Sequence, residues 1–250
     1  MTTGLEVRDL TMTFSGVDAL AQVSFSIGEG VWLGLIGPNG SGKSTMLNVL
    51  SGLYRPRAGS VVMNGHDLQA VRARHRIRQG LSRTFQHPQL AASLTILENV
   101  MVGAAHRPTA EAPSPPASDS GAEWLRRLGC DEYAEHLPSE APYGVQKLAE
   151  VARALMSAPS LLLLDEPAAG LSARERVDLV AALKEIRRHR PTLTLCLVEH
   201  DVGLVASLCS ELAVLSAGRL IANGPTQTVL ADEAVKVAYL GTRSTHDATP

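Results

Sequence analysis

Residues 37–45 read GPNGSGKST. They fit the pattern GxxxxGK[ST], follow the apolar run Val31–Ile36, and precede a helix-like alternation through Met46, Leu47, Val49 and Leu50. A strand, a glycine-rich turn and a helix in that order commit a chain to a layered α/β sheet, with the turn at the carboxyl edge of a buried strand. Gly37, Gly40 and Gly42 let backbone amides converge on phosphate oxygens without Cβ clashes, and the helix N-terminus adds partial positive charge. With Pro38, Asn39 and Ser41 they form a loop suited to the phosphates of a nucleoside triphosphate. Within it Lys43 is expected to reach the β and γ phosphates, Ser44 to offer its hydroxyl to Mg²⁺, and Thr45 to touch the α phosphate.

Two further apolar runs, Leu161–Leu164 and Leu193–Val198, lack polar alternation, as central strands covered on both faces do. The first ends in Asp165 and Glu166, which places two carboxylates at a strand end. Asp165 is expected to hold Mg²⁺, commonly through water, and Glu166 to polarise the water that attacks the γ phosphate. His200 follows the second run in the sequence VEHD and is placed to reach the γ phosphate or orient that water. Taken alone, the acids also suit a solvated strand end, and the histidine a packing or surface position.

The formal net charge of -2 over 250 residues gives no global field to gather nucleic acid or anionic lipid. The basic stretch Arg72-Ala-Arg-His-Arg-Ile-Arg78 has no interleaved aromatics and reads as a solvated helix face. Cys130, Cys196 and Cys209 are odd in number and widely spaced, which suits a reducing compartment and idle, buried thiols. The start lacks a secretory pattern and no apolar run approaches the ~20 residues of a membrane span, so the chain is expected to be soluble. No histidine spacing suggests a transition metal.

Residues 107–121 are rich in Pro, Ala and Ser and read as a flexible linker, and residues 243–250 as a flexible tail. Val145, Leu148, Ala149, Ala152, Leu155 and Met156 follow helical spacing, which places a helical lobe over 88–156.

Taken together, Phe14 followed by SGVDAL, GPNGSGKST, SRTFQ ending at Gln86, the stretch from Tyr143-Gly144, LLLLDEPAAGL, VEHD and AYLG make the chain resemble ABC transporter nucleotide-binding domains. Specifically it is similar to the branched-chain amino acid importer ATPases; relatives that export lipopolysaccharide share part of the pattern. The resemblance implies an α/β P-loop NTPase fold: a RecA-like core sheet with an N-terminal antiparallel β region in 1–87 and 157–242, and an inserted α-helical subdomain in 88–156. It further implies that Phe14 stacks on adenine, Gln86 senses Mg²⁺ and links to the permease, and His200 is the switch histidine. The plainer alternatives are a core Phe14 and a polar loop Gln86.

One departure matters. Where such domains carry LSGGQ or LSYGQ, which meets the γ phosphate on the opposite subunit, this chain has Ala141-Pro142-Tyr143-Gly144-Val145. Proline in place of serine removes a hydroxyl and an N–H together but is tolerated at a helix start, so the helix survives and its phosphate contact weakens. The expected assembly is an asymmetric heterodimer with a second ABC ATPase, a homodimer of two weak sites being the alternative. The expected role is the ATP-hydrolysing subunit of an importer for branched-chain amino acids or related amides. It would lie peripherally on the cytoplasmic side of the plasma membrane, bound to transmembrane permease subunits and served indirectly by a solute-binding protein. The rivals are an ABC ATPase acting on a macromolecular complex and a catalytically weak ATP-binding regulatory subunit.

Overall fold

The computed structural model describes residues 3–106 and 120–243. They divide into two compact units, one drawn from residues 1–73 and 194–250, the other from 74–193.

The first unit opens with two long antiparallel strands, β1 (Thr3–Phe14) and β2 (Val17–Gly28). Along β2 Leu20, Val23, Phe25 and Ile27 turn inward while Gln22, Ser24 and Ser26 face out, the alternation a strand with one covered face requires. Every residue of β3 (Trp32–Ile36) is buried; after it come the turn at 37–42 and α1 (Lys43–Leu50). β4 (Ala58–Met63) and β5 (His66–Asp67) complete an antiparallel sheet in the order β2-β1-β4-β5.

The second unit begins with a helical turn, α2 (Ala73–Arg76), a 3₁₀ turn and β6 (Leu81–Arg83). From 88 to 156 all assigned elements among the described residues are helical: α3 (Ile96–Val102), α4 (Gly121–Arg127), α5 (Tyr143–Met156) and the 3₁₀ turns between them. Local signals fix the starts. Thr95 and Glu98 form a reciprocal capping box at α3, and Ser120 accepts from the Glu123 amide at α4. Asn99, almost fully buried, accepts from Ala91 N–H and donates to the carbonyls of Ala91, Leu94 and Thr95, so one side chain secures the loop before α3. β7 (Leu161–Asp165) pairs in parallel with β6, and α6 (Ala173–His189) starts on a Ser172/Glu175 capping box.

The chain then returns to the first unit with β8 (Thr194–Val198), α7 (Val202–Leu208), β9 (Glu211–Ser216), β10 (Arg219–Pro225), α8 (Thr226–Ala231) and α9 (Glu233–Arg243). β3 lies between β8 and β9, parallel to both, and β10 runs antiparallel on the far side of β9. A Cβ on Gly34 would fall 2.2 Å from Val205 Cγ1 and 2.7 Å from Leu212 Cδ2, so α7 packs directly on β3 there.

The apolar runs that suggested strands form β3, β7 and β8, with Val31 and Leu193 just outside their starts. The basic stretch differs from expectation at one residue: Arg76 is buried, and only its neighbours behave as a solvated face. Of the expected linker, Ser120 caps α4 and Gly121 is its first residue, while 107–119 lie outside the described residues. Of the expected tail, Arg243 closes α9 and 244–250 lie outside. No helix among the described residues is long and apolar enough to cross a membrane. All three cysteines are buried and free, and burial pushes the Cys130 thiol up to about 12.

Candidate active site

In the first unit, the turn after β3 is shaped by glycines that nothing else can replace. Gly42 caps α1 in the left-handed region at φ +106, and a Cβ there would lie 2.5 Å from the Ala19 carbonyl. A Cβ on Gly37 would lie 2.1 Å from the Leu215 carbonyl. The Lys43 ammonium donates to the carbonyls of Gly37 (2.8 Å) and Pro38 (2.9 Å), so its positive charge sits over the turn. Ser41 is nearly buried, and its hydroxyl has no hydrogen-bond partner among the described residues. Ser44, in the first turn of α1, is exposed, Thr45 half-buried, and Asn39 and Gly40 open to solvent. A tight turn closed to side chains at Gly37 and Gly42, with an ammonium over it and an orphaned buried hydroxyl, suits an anion.

His200 belongs to the same unit. β8 pairs in parallel with β3, Val198 opposite Leu35, so residues 199–200 leave the sheet at the edge where the turn begins. Its imidazole is exposed, while its own amide donates to the buried Glu199 carboxylate. Phe14 is no core residue: it is 41% exposed at the end of β1 and makes an edge-to-face pair with Tyr54 at 5.3 Å. Tyr54 escaped the sequence reading, since a lone tyrosine after a helix carries no pattern.

In the second unit, β7 carries Asp165 to its end. The Asp165 carboxylate accepts from Arg83 at 2.8 Å, both side chains being nearly buried. Next to it Glu166 stands at φ +47, a left-handed conformation that few non-glycine residues adopt. Its Oε2 accepts from Gln86 Nε2 at 2.9 Å, so two predicted site residues far apart in sequence meet side chain to side chain. Lys147 donates to the carbonyls of both Gln86 and Glu166. Burial pushes the Glu150 carboxyl up, against the pull of the amides of Gln89 and Phe85 and of Arg153. None of Arg83, Lys147 and Glu150 was assigned from sequence, although Arg83 lies within SRTFQ.

Pro142 is the N-cap residue of α5 at φ -53, ψ 151, with no side-chain cap, and Tyr143 begins the helix. The Gly144 amide donates to Glu175 Oε1 at 3.1 Å. The Ser172 hydroxyl first, then the Ser172 and Gly144 amides, hold the Glu175 carboxyl below the usual carboxylate range. The N-terminal end of α5 therefore already faces a carboxylate.

Each considered within its own unit, the Ser44 hydroxyl of the first and the Gln86 amide oxygen and Asp165 carboxylate of the second are hard oxygens, the donor type that Mg²⁺ prefers. Among the described residues no cluster of three or more His, Cys, Asp and Glu side chains offers a protein-only metal cage.

Comparison with known proteins finds relatives over nearly the whole chain. A sequence profile of the ABC transporter family matches residues 20–169. The chain is 36% identical to the high-affinity branched-chain amino acid transport ATP-binding protein LivG of Salmonella typhimurium, over 95% of this chain and 97% of the relative. It is 35% identical to BraF of Pseudomonas aeruginosa, named for the same transport, over the same shares. Among solved structures it is similar to the ADP conformation of MJ1267, an ATP-binding cassette of an ABC transporter. That match has a TM-score of 0.81 and 27% identity, and covers 96% of this chain and 100% of that one.

Proposed function

This chain belongs to the ABC transporter family, as one of its ATP-hydrolysing subunits, and on that premise we propose that it powers an importer for branched-chain amino acids or related small amino acid and amide solutes. The relatives named for branched-chain amino acid transport support the solute class. The carrying observation for the site is the Gln86–Glu166 contact on the strand end that also bears Asp165.

Residues 37–45 take the phosphates of ATP, Lys43 countering their charge, and Phe14 with Tyr54 offers an aromatic face to the base. Ser44, Gln86 and Asp165 would hold Mg²⁺, which would supply positive charge to the phosphate oxygens. Glu166 accepts a hydrogen bond from the attacking water, Gln86 orients that carboxylate, and His200 steadies the γ phosphate; the products are ADP and phosphate. The helices of 88–156 form the arm that moves the permease, on the cytoplasmic face of the membrane. A solute-binding protein acts upstream, without touching this chain.

The bare Pro142 and the engagement of Gly144 by Glu175 support pairing with a second ABC ATPase whose signature is complete. The same observations give a second reading, an ATP-binding subunit of weak turnover. In the reconstituted transporter, Glu166→Gln should keep ATP binding and lose most phosphate release and solute uptake. Undiminished release would refute the assignment, and a self-associating chain with normal turnover would refute the heterodimer.

A further inference from the structure

We infer that Lys147 is a positioning residue for hydrolysis, fixing Gln86 and Glu166 against one another from the body of α5. The inference rests on the reading that Glu166 activates the attacking water.

Lys147 is 2% exposed. Its ammonium donates to the main-chain carbonyl of Gln86 and, at 3.0 Å, to that of Glu166, the two residues whose side chains meet at 2.9 Å. One cation thus closes a ring: backbone to backbone through Lys147, side chain to side chain through amide and carboxylate. The Glu166 backbone stands at φ +47, an uncommon conformation for a non-glycine residue, and the bond to its carbonyl helps to hold it there. A lysine fits here because its ammonium is a compact charge with donors only, so it binds two carbonyls without competing for the Gln86 donor.

The rest of that helix face grips the same loop. Glu150 accepts from the amides of Phe85 (3.3 Å) and Gln89 (3.2 Å), and Arg153 donates to the Gln89 carbonyl at 2.6 Å. The Tyr143 hydroxyl lies 3.3 Å from His87 Nδ1, and its ring is 5.6 Å from the Lys147 ammonium. Residues 85–89 are therefore attached to α5 at both donors and acceptors, and Lys147 is the side chain that extends the attachment to Glu166. Through that ammonium a displacement of α5 bears directly on the Glu166 backbone.

The test is steady-state ATP hydrolysis by the assembled transporter carrying Lys147→Met, Lys147→Arg and Gln86→Ala. Loss of two charge-assisted bonds should lower kcat about ten-fold or more in Lys147→Met, while KM for ATP moves less than about two-fold because the phosphate loop is unaltered. Lys147→Arg, which keeps charge and donors, should recover part of the rate. Added to Gln86→Ala, Lys147→Met should cost less than about two-fold further, since both act through one contact. A kcat for Lys147→Met within about two-fold of the parent overturns the inference, as does a fully additive double variant or a loss confined to KM. If Lys147→Met fails to assemble, Lys147→Gln is held to the same criteria. Glu166→Gln is run alongside: if it retains turnover, the underlying reading falls and this inference with it. If Glu166→Gln is inactive and Lys147→Met is normal, only this inference falls.

Discussion

Pro142→Ser separates the stability of α5 from its chemistry. Pro142 sits at φ -53, ψ 151, values serine adopts without strain, and supplies no side-chain cap. Serine there would accept from an amide of the first turn, worth about 1 kcal/mol. Against this, removing a proline restores freedom to the unfolded chain, costing about 0.4–1 kcal/mol. The two nearly cancel, so Tm should move by no more than about 4 °C. On the proposed pairing with a second ATPase, the hydroxyl would also offer a donor toward the γ phosphate of the partner's site, and one hydrogen bond to a charged group is worth about 1.5–3 kcal/mol, or roughly ten-fold to a hundred-fold in rate. The lower end is expected, because Glu175 still accepts from the Gly144 amide. The assay is phosphate release from the assembled transporter in which this chain also carries Glu166→Gln, so that residual turnover belongs to the site its signature serves. A gain of about ten-fold with unchanged melting is the expected result. No gain in a folded, assembled complex would show that the missing hydroxyl does not limit that site.

Three other outcomes follow from the geometry. Gly42→Ala should abolish nucleotide binding by calorimetry, since the methyl group would lie 2.5 Å from the Ala19 carbonyl and the residue would stand at φ +106. Asn99→Ala strips the loop before α3 of one acceptor and of two N–H donors shared among three carbonyls, and denaturant unfolding should show a loss of about 3 kcal/mol. The native thiols should resist alkylation at neutral pH and react after unfolding, because all three are buried and Cys130 titrates at about 12.

What the sequence disclosed follows from how local each feature is. The phosphate loop is contiguous and carries its own strand and helix signals, so its residues were named without any knowledge of neighbours. Asp165 and Glu166 were legible as a strand terminus, and Gln86 through a resemblance; that Gln86 touches Glu166 lies in no spacing rule. Arg83 and Asp165 face each other only because β6 and β7 pair in parallel, a register that no local pattern encodes. Lys147 was hidden for a different reason. A lysine inside an amphipathic helix reads as solvated, yet here the ammonium is buried against two carbonyls. The Ser172-x-x-Glu175 box is visible as a helix start, but its second role, accepting from Gly144, depends on α6 lying beside α5.

The discontinuous origin of the first unit sets the order in which the chain matures. β3, which carries the phosphate loop, draws its hydrogen-bonded neighbours from residues 195–198 and 211–214. On the ribosome these emerge only after the whole of 74–193 has been made, whereas that second unit is a single uninterrupted stretch. Long-range parallel pairing forms slowly and leaves apolar strands uncovered while they wait. A truncation before Ser216 therefore removes part of the sheet that seats the loop, although every residue of the loop is present.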